Sequence, residues 1–220
     1  MQNVENQIFK NYWSRKRFLE GKIPSFPVIK WYRTDSLCDI EQLYFTQVNK
    51  CRSILDVGAG DLRIKKKFEL AGFGGEYHSQ DVSEEHPHTY RTLSEVDRKY
   101  DAILCLDVIE HLSLSDGLAL IQKMKTLLEK NGLLILQTPN ARCVRNPMGW
   151  DMTHLHCYNL PDLWAYLTAE GFQTAGYRVV FSESIERKKF RTLLARYIIT
   201  RVLGNDYADN IALIGQLKDN

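Results

Sequence analysis

The run Asp56-Val57-Gly58-Ala59-Gly60 places a carboxylate just before two glycines, at the end of the apolar stretch Ser53-Ile54-Leu55-Asp56-Val57. A strand that ends in Gly-x-Gly and feeds a helix is a ligand-cradle signal. Glycines let the backbone approach the ligand, and the helix start offers free N–H groups and positive potential. The acid in front of the glycines narrows the ligand: a carboxylate there repels a pyrophosphate and suits a cationic group, by direct contact or through bridging water. A second acid, Asp81, closes the next short strand, where it can accept hydrogen bonds from both hydroxyls of a ribose. A nicotinamide dinucleotide fits less well, because its fingerprint needs a third small residue where Gly58-Ala59-Gly60-Asp61-Leu62-Arg63 has Arg63. The plainer alternative is that Asp56 caps the helix and Asp81 starts a turn.

A second group of chemistry-bearing residues follows the later strands. Thr153-His154-Leu155-His156-Cys157-Tyr158 lies beyond the apolar run Leu133-Leu134-Ile135-Leu136, at the carboxyl edge where open α/β sheets bind ligands. A histidine there could serve as general base for an acceptor hydroxyl. His154 and His156 are two apart, so on extended chain they point to opposite sides and one of them would face the ligand. The alternative is that both bond loop backbone and order residues 140–158. Trp150 and Tyr158 read either as lining of an acceptor pocket or as packing. Asp107, Glu110 and His111 cluster after another apolar run, Ala102-Ile103-Leu104-Cys105-Leu106.

These residues need a frame to hold them. Strands are expected at 53–57, 76–81, 102–106, 133–136, 178–181 and 210–214, with helices at 62–71, after Ser113 or Ser115, and at 160–170 between Asn159 and Gly171. Ser36 is expected to cap a helix carrying Leu37, Ile40, Leu43, Tyr44 and Val48. Apolar strands without alternation, interleaved with helices, indicate a Rossmann-like, mostly parallel α/β sheet covered by helices on both faces. Residues 1–50 read as an N-terminal helical cap, with residues 1–35 peripheral, and 51–220 as the main domain. Residues 183–203 read as a basic amphipathic helix (Phe190, Leu193, Leu194, Tyr197 and Ile198 against Arg187, Lys188, Lys189, Arg191 and Arg196). It could pack as a lid, rest on an anionic membrane surface, or bind phosphates.

The bulk composition sets bounds. The 220 residues fit one ordinary domain, and 44% hydrophobic with 25% charged residues is globular. A net charge of +2 gives nucleic-acid binding no support. The odd set Cys38, Cys51, Cys105, Cys143 and Cys157 contains no Cys-x-x-Cys pair, which argues for a reducing compartment without disulfides or a zinc site. The start carries Glu5, Lys10, Arg15, Lys16 and Arg17 without an apolar core, against a signal peptide, and no apolar stretch is long enough to span a bilayer. A cytoplasmic location is expected.

Ile54-Leu55-Asp56-Val57-Gly58-Ala59-Gly60 resembles motif I of the class I S-adenosylmethionine-dependent methyltransferases. Tyr100–Leu112 resembles the fourth-strand motif of the ubiquinone-biosynthesis-type branch, Asn131–Asn140 its fifth strand and turn, and Thr153–Tyr158 with Leu163–Phe172 the segment that follows in many relatives. The match runs over roughly 50–181, in order, and the last strand fits the family's antiparallel C-terminal sheet edge. The resemblance implies that Gly58 and Gly60 approach the methionine part of S-adenosylmethionine. It also implies that Asp56 holds its amino group or the loop, that Asp81 binds the ribose, and that the Leu106 backbone meets the methionine end. It implies methyl transfer to oxygen or nitrogen of a small molecule or glycan precursor, with His154 or His156 catalytic. In small-RNA 3′-terminal 2′-O-methyltransferases and some ubiquinone-pathway enzymes, similar acid-x-x-Glu-His residues hold Mg²⁺, joined in the RNA enzymes by a later His. Many non-metal relatives keep Ile-Glu-His-Leu, and Mg²⁺ prefers oxygen ligands, so no metal ligand is assigned. Two other readings remain, a metal-dependent RNA 2′-O-methyltransferase and a non-catalytic cofactor-binding module. The second is prompted by one departure: Val82–Tyr100 is too short and polar for the family's usual helix and third strand, with room only for a reduced strand near Tyr90–Leu93.

Overall fold

In the computed structural model, which describes residues 11–181 and 197–218, seven strands form one sheet in the order β1-β6-β7-β5-β4-β2-β3. The strands are β1 (Val28–Trp31), β2 (Ser53–Val57), β3 (Glu76–Gln80), β4 (Tyr100–Leu106), β5 (Leu128–Pro139), β6 (Phe172–Phe181) and β7 (Asn210–Leu217). Only the β5–β7 and β6–β7 pairs are antiparallel, so β7 alone runs against the other six. The helices are α1 (Tyr12–Glu20), α2 (Asp39–Val48), α3 (Arg63–Leu70), α4 (Leu114–Thr126) and α5 (Leu160–Ala169).

Strand side chains alternate between two buried faces, which is why the middle of each central strand is apolar on both. Leu55, Ile103, Leu134, Leu136 and Leu213 face Leu118, Ile121 and Met124 of α4 and Leu160 and Leu163 of α5. Ile54, Leu104, Ile135, Ala212 and Ile214 face Ile40, Tyr44 and Val48 of α2 and Ile64 and Phe68 of α3. The helices therefore cover both faces, as the strand pattern required.

Local signals explain most helix ends. The Ser113 hydroxyl accepts from the Asp116 amide at 3.2 Å, and the Asn159 side chain from the Asp162 amide at 3.0 Å. Gly171, at φ +93°, follows the end of α5. The expected cap at Ser36 is wrong. Cys38 is the N-cap of α2, and its amide donates to Glu41 Oε2 at 2.9 Å. Glu41 is anchored in turn by Lys67 of α3 at 2.8 Å, a tertiary contact that moves the start two residues along.

Three other expectations change. Residues 1–50 do not form a purely helical cap: Val28–Trp31 joins the sheet parallel to β6, with Val28 opposite Arg178. This four-residue strand alternates between exposed and half-buried positions, too weak a pattern to stand out. The antiparallel β7 pairs with both β5 and β6, so it lies inside the sheet rather than outermost. On the other side, no strand forms at Tyr90–Leu93. A single parallel bridge joins Gln80 to Tyr90, the Tyr90 amide donates to the Ser79 carbonyl at 3.0 Å, and the Gln80 side chain donates to the Arg91 carbonyl at 2.9 Å. The loop is thus stitched along β3 in place of a third strand. Of the basic segment 183–203, residues 183–196 lie outside the described residues, and Ile198–Val202 forms a π-helical turn. Among the described residues no helix is long and apolar enough to cross a membrane.

Candidate functional site

The turn after β2 is shaped by its backbone. Gly58 and Gly60 sit at φ +70° and +50°, where a Cβ is strained. A Cβ on Gly58 would also lie 2.3 Å from Cγ2 of Val108, just beyond β4, whereas one on Gly60 would meet nothing within 4 Å. Gly58 is therefore required by packing, and Gly60 borders open space. The Gly58 and Ala59 amides both donate to the Gln80 carbonyl, at 2.8 and 3.1 Å. The Gly60 amide donates to Asp81 Oδ2 at 2.8 Å, and the Ser83 amide to Asp81 Oδ1 at 2.8 Å.

The two acids thus differ from each other. Asp81 lies one residue past the end of β3, partly exposed, and its carboxylate holds the glycine turn. Each oxygen keeps lone-pair capacity for a ribose hydroxyl. Asp56 is buried beneath the turn, 3% exposed, and its Oδ2 accepts from the Tyr77 hydroxyl at 2.7 Å. Burial pushes its carboxyl up to about 7, the nearby Asp81 adds to this, and the tyrosine bond opposes it. An unpaired buried carboxylate of this kind favours a proton or a cationic partner. Holding the loop, one of the two roles expected of Asp56, falls to Asp81.

Beyond β4 the chain turns at Asp107, at φ +56°, in a region that Asp tolerates better than most residues. Its Oδ2 accepts from the Gln137 side chain at 2.8 Å and its Oδ1 from that of Asn210 at 2.8 Å, while the Tyr44 hydroxyl donates to Gln137 at 2.9 Å. Leu106, the last residue of β4, and Asp107 therefore lie at the carboxyl ends of the central strands. Burial raises the Asp107 carboxyl, against the Gln137 hydrogen bond.

Glu110, 1% exposed, accepts from the Thr138 hydroxyl at 2.9 Å, and its carboxyl is pushed up to about 8 by burial and then by Asp107. Its main-chain carbonyl accepts from the Leu155 and His156 amides, at 2.7 and 3.1 Å, which docks the histidine loop onto this turn. His111 and His154 stand with ring centroids 5.0 Å apart. His154 Nδ1 lies 2.7 Å from the Pro147 carbonyl, which only accepts, so Nδ1 carries the proton. His111 Nδ1 lies 2.7 Å from the Thr153 hydroxyl, whose own hydrogen goes to Asp151 at 2.7 Å, so Nδ1 again donates. Both rings are left with Nε2 as the lone-pair nitrogen in the neutral form. One ligand atom each from Glu110, His111 and His154 lies within 4.8 Å of the others.

His156 turns the other way, edge-on to Tyr158 with centroids 4.7 Å apart, and burial lowers its pKa. The alternation expected of the two histidines is present, and His154 is the one beside His111 and Glu110. Tyr158 belongs to the core. Trp150, 37% exposed, packs on Phe181 at 6.3 Å between centroids, with the Arg145 guanidinium 5.5 Å from its ring. Sequence reasoning passed over Tyr44, Gln137, Thr138 and Asn210. The polar pair Gln137-Thr138 at the end of an apolar strand was the available signal; Tyr44 looks like any helix core residue.

The chain matches the family model described as "Methyltransferase domain" over residues 30–180. It belongs to that family. This methyltransferase has the class I, Rossmann-like fold, and methyl transfer is its reaction. No curated protein matches it in sequence. Among solved structures it is similar to a SAM-dependent methyltransferase from Archaeoglobus fulgidus, at 16% identity and TM-score 0.59 over 80% of this chain and 94% of that one. It is also similar to magnesium protoporphyrin IX methyltransferase from Synechocystis PCC 6803 with bound SAM, at 15% identity and TM-score 0.53 over 98% and 96%. A third neighbour is the 1,6-didemethyltoxoflavin-N1-methyltransferase of Burkholderia thailandensis, at 16% identity and TM-score 0.53 over 81% and 76%. At these identities the likeness is one of fold.

Proposed function

We propose that this methyltransferase binds S-adenosylmethionine across the carboxyl ends of β2, β3 and β4 and methylates oxygen or nitrogen of a small molecule or glycan precursor. The observation that carries the reading is the pair of acids around the glycine turn. Asp81 holds Gly60 and offers lone pairs to a ribose, and the buried Asp56 favours a cationic ligand end. Gly58 and Gly60 open the turn to the methionine portion, and the Leu106 backbone borders it. In the reaction the acceptor's lone pair forms a bond to the methyl carbon as the carbon–sulfur bond breaks in line. The acceptor's proton goes to a base, and alignment supplies much of the rate. His154 is the base in this reading, because Nδ1 is occupied by Pro147 and Nε2 is the lone-pair nitrogen. His156 acts through position, by tying its loop to the Glu110 carbonyl.

A second reading is favoured by the Glu110, His111 and His154 cluster. Two imidazole nitrogens and one carboxylate suit Zn²⁺, Mn²⁺ or Fe²⁺ better than Mg²⁺, and a divalent ion held there would lower the pKa of an acceptor hydroxyl. The two readings compete for the same His154 Nε2.

The test is calorimetric titration with S-adenosylhomocysteine, followed by turnover to that product with candidate acceptors, with and without EDTA. Absence of cofactor binding sinks the reading. Binding without turnover on any acceptor class supports a non-catalytic module. Turnover that EDTA abolishes and Zn²⁺ or Mn²⁺ restores selects the metal-assisted form. RNA acceptance with steep salt dependence points to an RNA substrate.

A further inference from the structure

The carboxyl edge of the sheet carries an aromatic feature and a polar one beyond the cofactor cradle, and strand alternation puts them on one face. Ala212 and Ile214 of β7, Tyr177 and Val179 of β6, and Ile29 and Trp31 of β1 all pack on the side of α2 and α3. By the same period of two, Asn210 at the start of β7 and Phe181 at the end of β6 share that face. Trp31 pairs with Phe181 across the strands, with ring centroids 4.9 Å apart, and Trp150 of the histidine loop meets Phe181 at 6.3 Å. The row of rings is anchored by the buried Asp209. Its Oδ2 accepts from the Phe181 amide at 2.8 Å, and its Oδ1 pairs with Arg145, whose guanidinium lies beside the Trp150 ring. Asp209 offsets the Arg145 charge, so the row is apolar without net charge. Phe181 and Trp150 are each more than a third exposed, which leaves ring surface for an occupant.

The polar feature is a chain of oriented hydrogen bonds. The Tyr44 hydroxyl donates to the Gln137 oxygen, so the Gln137 nitrogen faces Asp107, which also accepts from the Asn210 nitrogen. An ionised carboxylate only accepts, which fixes both amides. The Asn210 side-chain oxygen is therefore turned away from Asp107. It is buried, and among the described residues it has no hydrogen-bond partner. A buried carbonyl without a donor is costly and calls for a missing partner. The reaction centre adjoins it, because the charges of His111 and His154 both act on the Asp107 carboxyl.

We propose that the methyl acceptor is a neutral, flat aromatic compound whose ring lies on Phe181 and Trp150 and whose N–H or O–H donates to the Asn210 side-chain oxygen. This rests on the methyl-transfer reading and names its acceptor class, a small aromatic molecule rather than a glycan precursor. Aromatic surface binds the ring but leaves it free to turn in its own plane. The hydrogen bond to Asn210 fixes that rotation, and with it which ring atom faces the methyl group. The donating group is not the atom that is methylated. That atom forms its bond to the methyl carbon as the carbon–sulfur bond breaks, and its own proton goes to the base. A site built to accept an N–H rejects an analogue without one, because its oxygen is then left unpaired.

The experiment uses the full chain with saturating S-adenosylhomocysteine and three neutral probes, followed by ligand-observed NMR and calorimetry. The probes are 2-quinolone, 1-methyl-2-quinolone, which lacks the N–H, and octahydro-2-quinolone, which keeps the N–H on a saturated ring. Wild-type protein should bind 2-quinolone about ten-fold more tightly than the methylated probe. It should bind it about five-fold more tightly than the saturated probe. Asn210→Leu should lose the first preference and keep the second, and Phe181→Leu should do the reverse. Circular dichroism and thermal unfolding check that each variant is folded; if Asn210→Leu is not, Phe181→Leu still decides. The proposal is overturned if the wild type does not bind 2-quinolone, if it binds the three probes alike, or if a folded variant keeps the preference assigned to its residue. Bound S-adenosylhomocysteine with no preference among the probes sinks this inference alone, whereas no S-adenosylhomocysteine binding sinks the reading on which it rests.

Discussion

The turn at Gly58–Gly60 and the loop over residues 140–158 sit at the carboxyl ends of β2 and β5, the two parallel strands that flank β4, but they are held differently. In the glycine turn, main-chain amides bond to the Gln80 carbonyl and the Asp81 carboxylate, and Val108 packs against the bare Gly58. The histidine loop is docked by main-chain amides too, Leu155 and His156 to the Glu110 carbonyl, but the rings of its reaction centre are set by side-chain bonds: His154 to Pro147, Thr153 to Asp151, His111 to Thr153. A backbone-held turn can be specified by a short motif and repeated across acceptors. Rings set by side-chain bonds can be exchanged residue by residue, which suits the part of the site that meets a variable acceptor.

The largest expected effect breaks the turn itself. Gly58→Ala drives a methyl group into Val108 at an unfavourable φ and should cost about 2–4 kcal/mol of stability, with S-adenosylhomocysteine binding lost. Gly60→Ala, which meets open space, should cost only about 1 kcal/mol, measured as a smaller fall in Tm. Equal falls would remove the distinction between a packed and an open glycine.

Next is the loop. His154→Ala should lower kcat by about 10²–10⁴, the range of general acid–base catalysis. His156→Ala, which leaves the main-chain bonds to Glu110 in place, should stay within about ten-fold of wild type on that scale. If the order is reversed, the orientation of the two histidines does not set their roles.

The two acids give smaller effects. Asp81→Ala removes the anchor of Gly60 as well as the ribose partner and should weaken S-adenosylhomocysteine by about 10²-fold, given about 1.5–3 kcal/mol per charged hydrogen bond. Asp56→Asn keeps the bond from Tyr77 and should weaken it by about ten-fold. Calorimetry separates them.

The finest test is pH. The Asp56 carboxyl rises from 3.8 to about 7 on folding, so between those values the native state holds a proton that the unfolded chain has released. Its contribution to stability therefore falls as pH rises through that window. A cationic ligand end favours the ionised form, so cofactor affinity should rise with pH up to about 7 and then level off, with proton release on binding. Both slopes should vanish in Asp56→Asn; a slope that persists would place the titrating group elsewhere.

Much of the central sheet could be read from the chain. The run 53–57, the run 102–106 inside Tyr100–Leu106 and the run 133–136 inside Leu128–Pro139 are mostly apolar without alternation, and Ser113, Asn159 and Gly171 mark helix ends through local bonds or local φ. The strand Val28–Trp31 could not, because a half-exposed edge strand depends on its partner β6 for its existence. The start of α2 could not either, because Lys67, on another helix, helps to set it.

The sequence by itself determined the residue types of the cradle: two glycines, an acid before them, another acid one strand later, and two histidines whose spacing sends them apart. These follow from backbone geometry and period-two alternation, which are local. Only the tertiary structure decided that Asp81 rather than Asp56 grips the glycine turn, that His154 rather than His156 joins His111 and Glu110, and that Asn210 meets Asp107. Each of these depends on distant segments meeting, which no local pattern in the chain encodes.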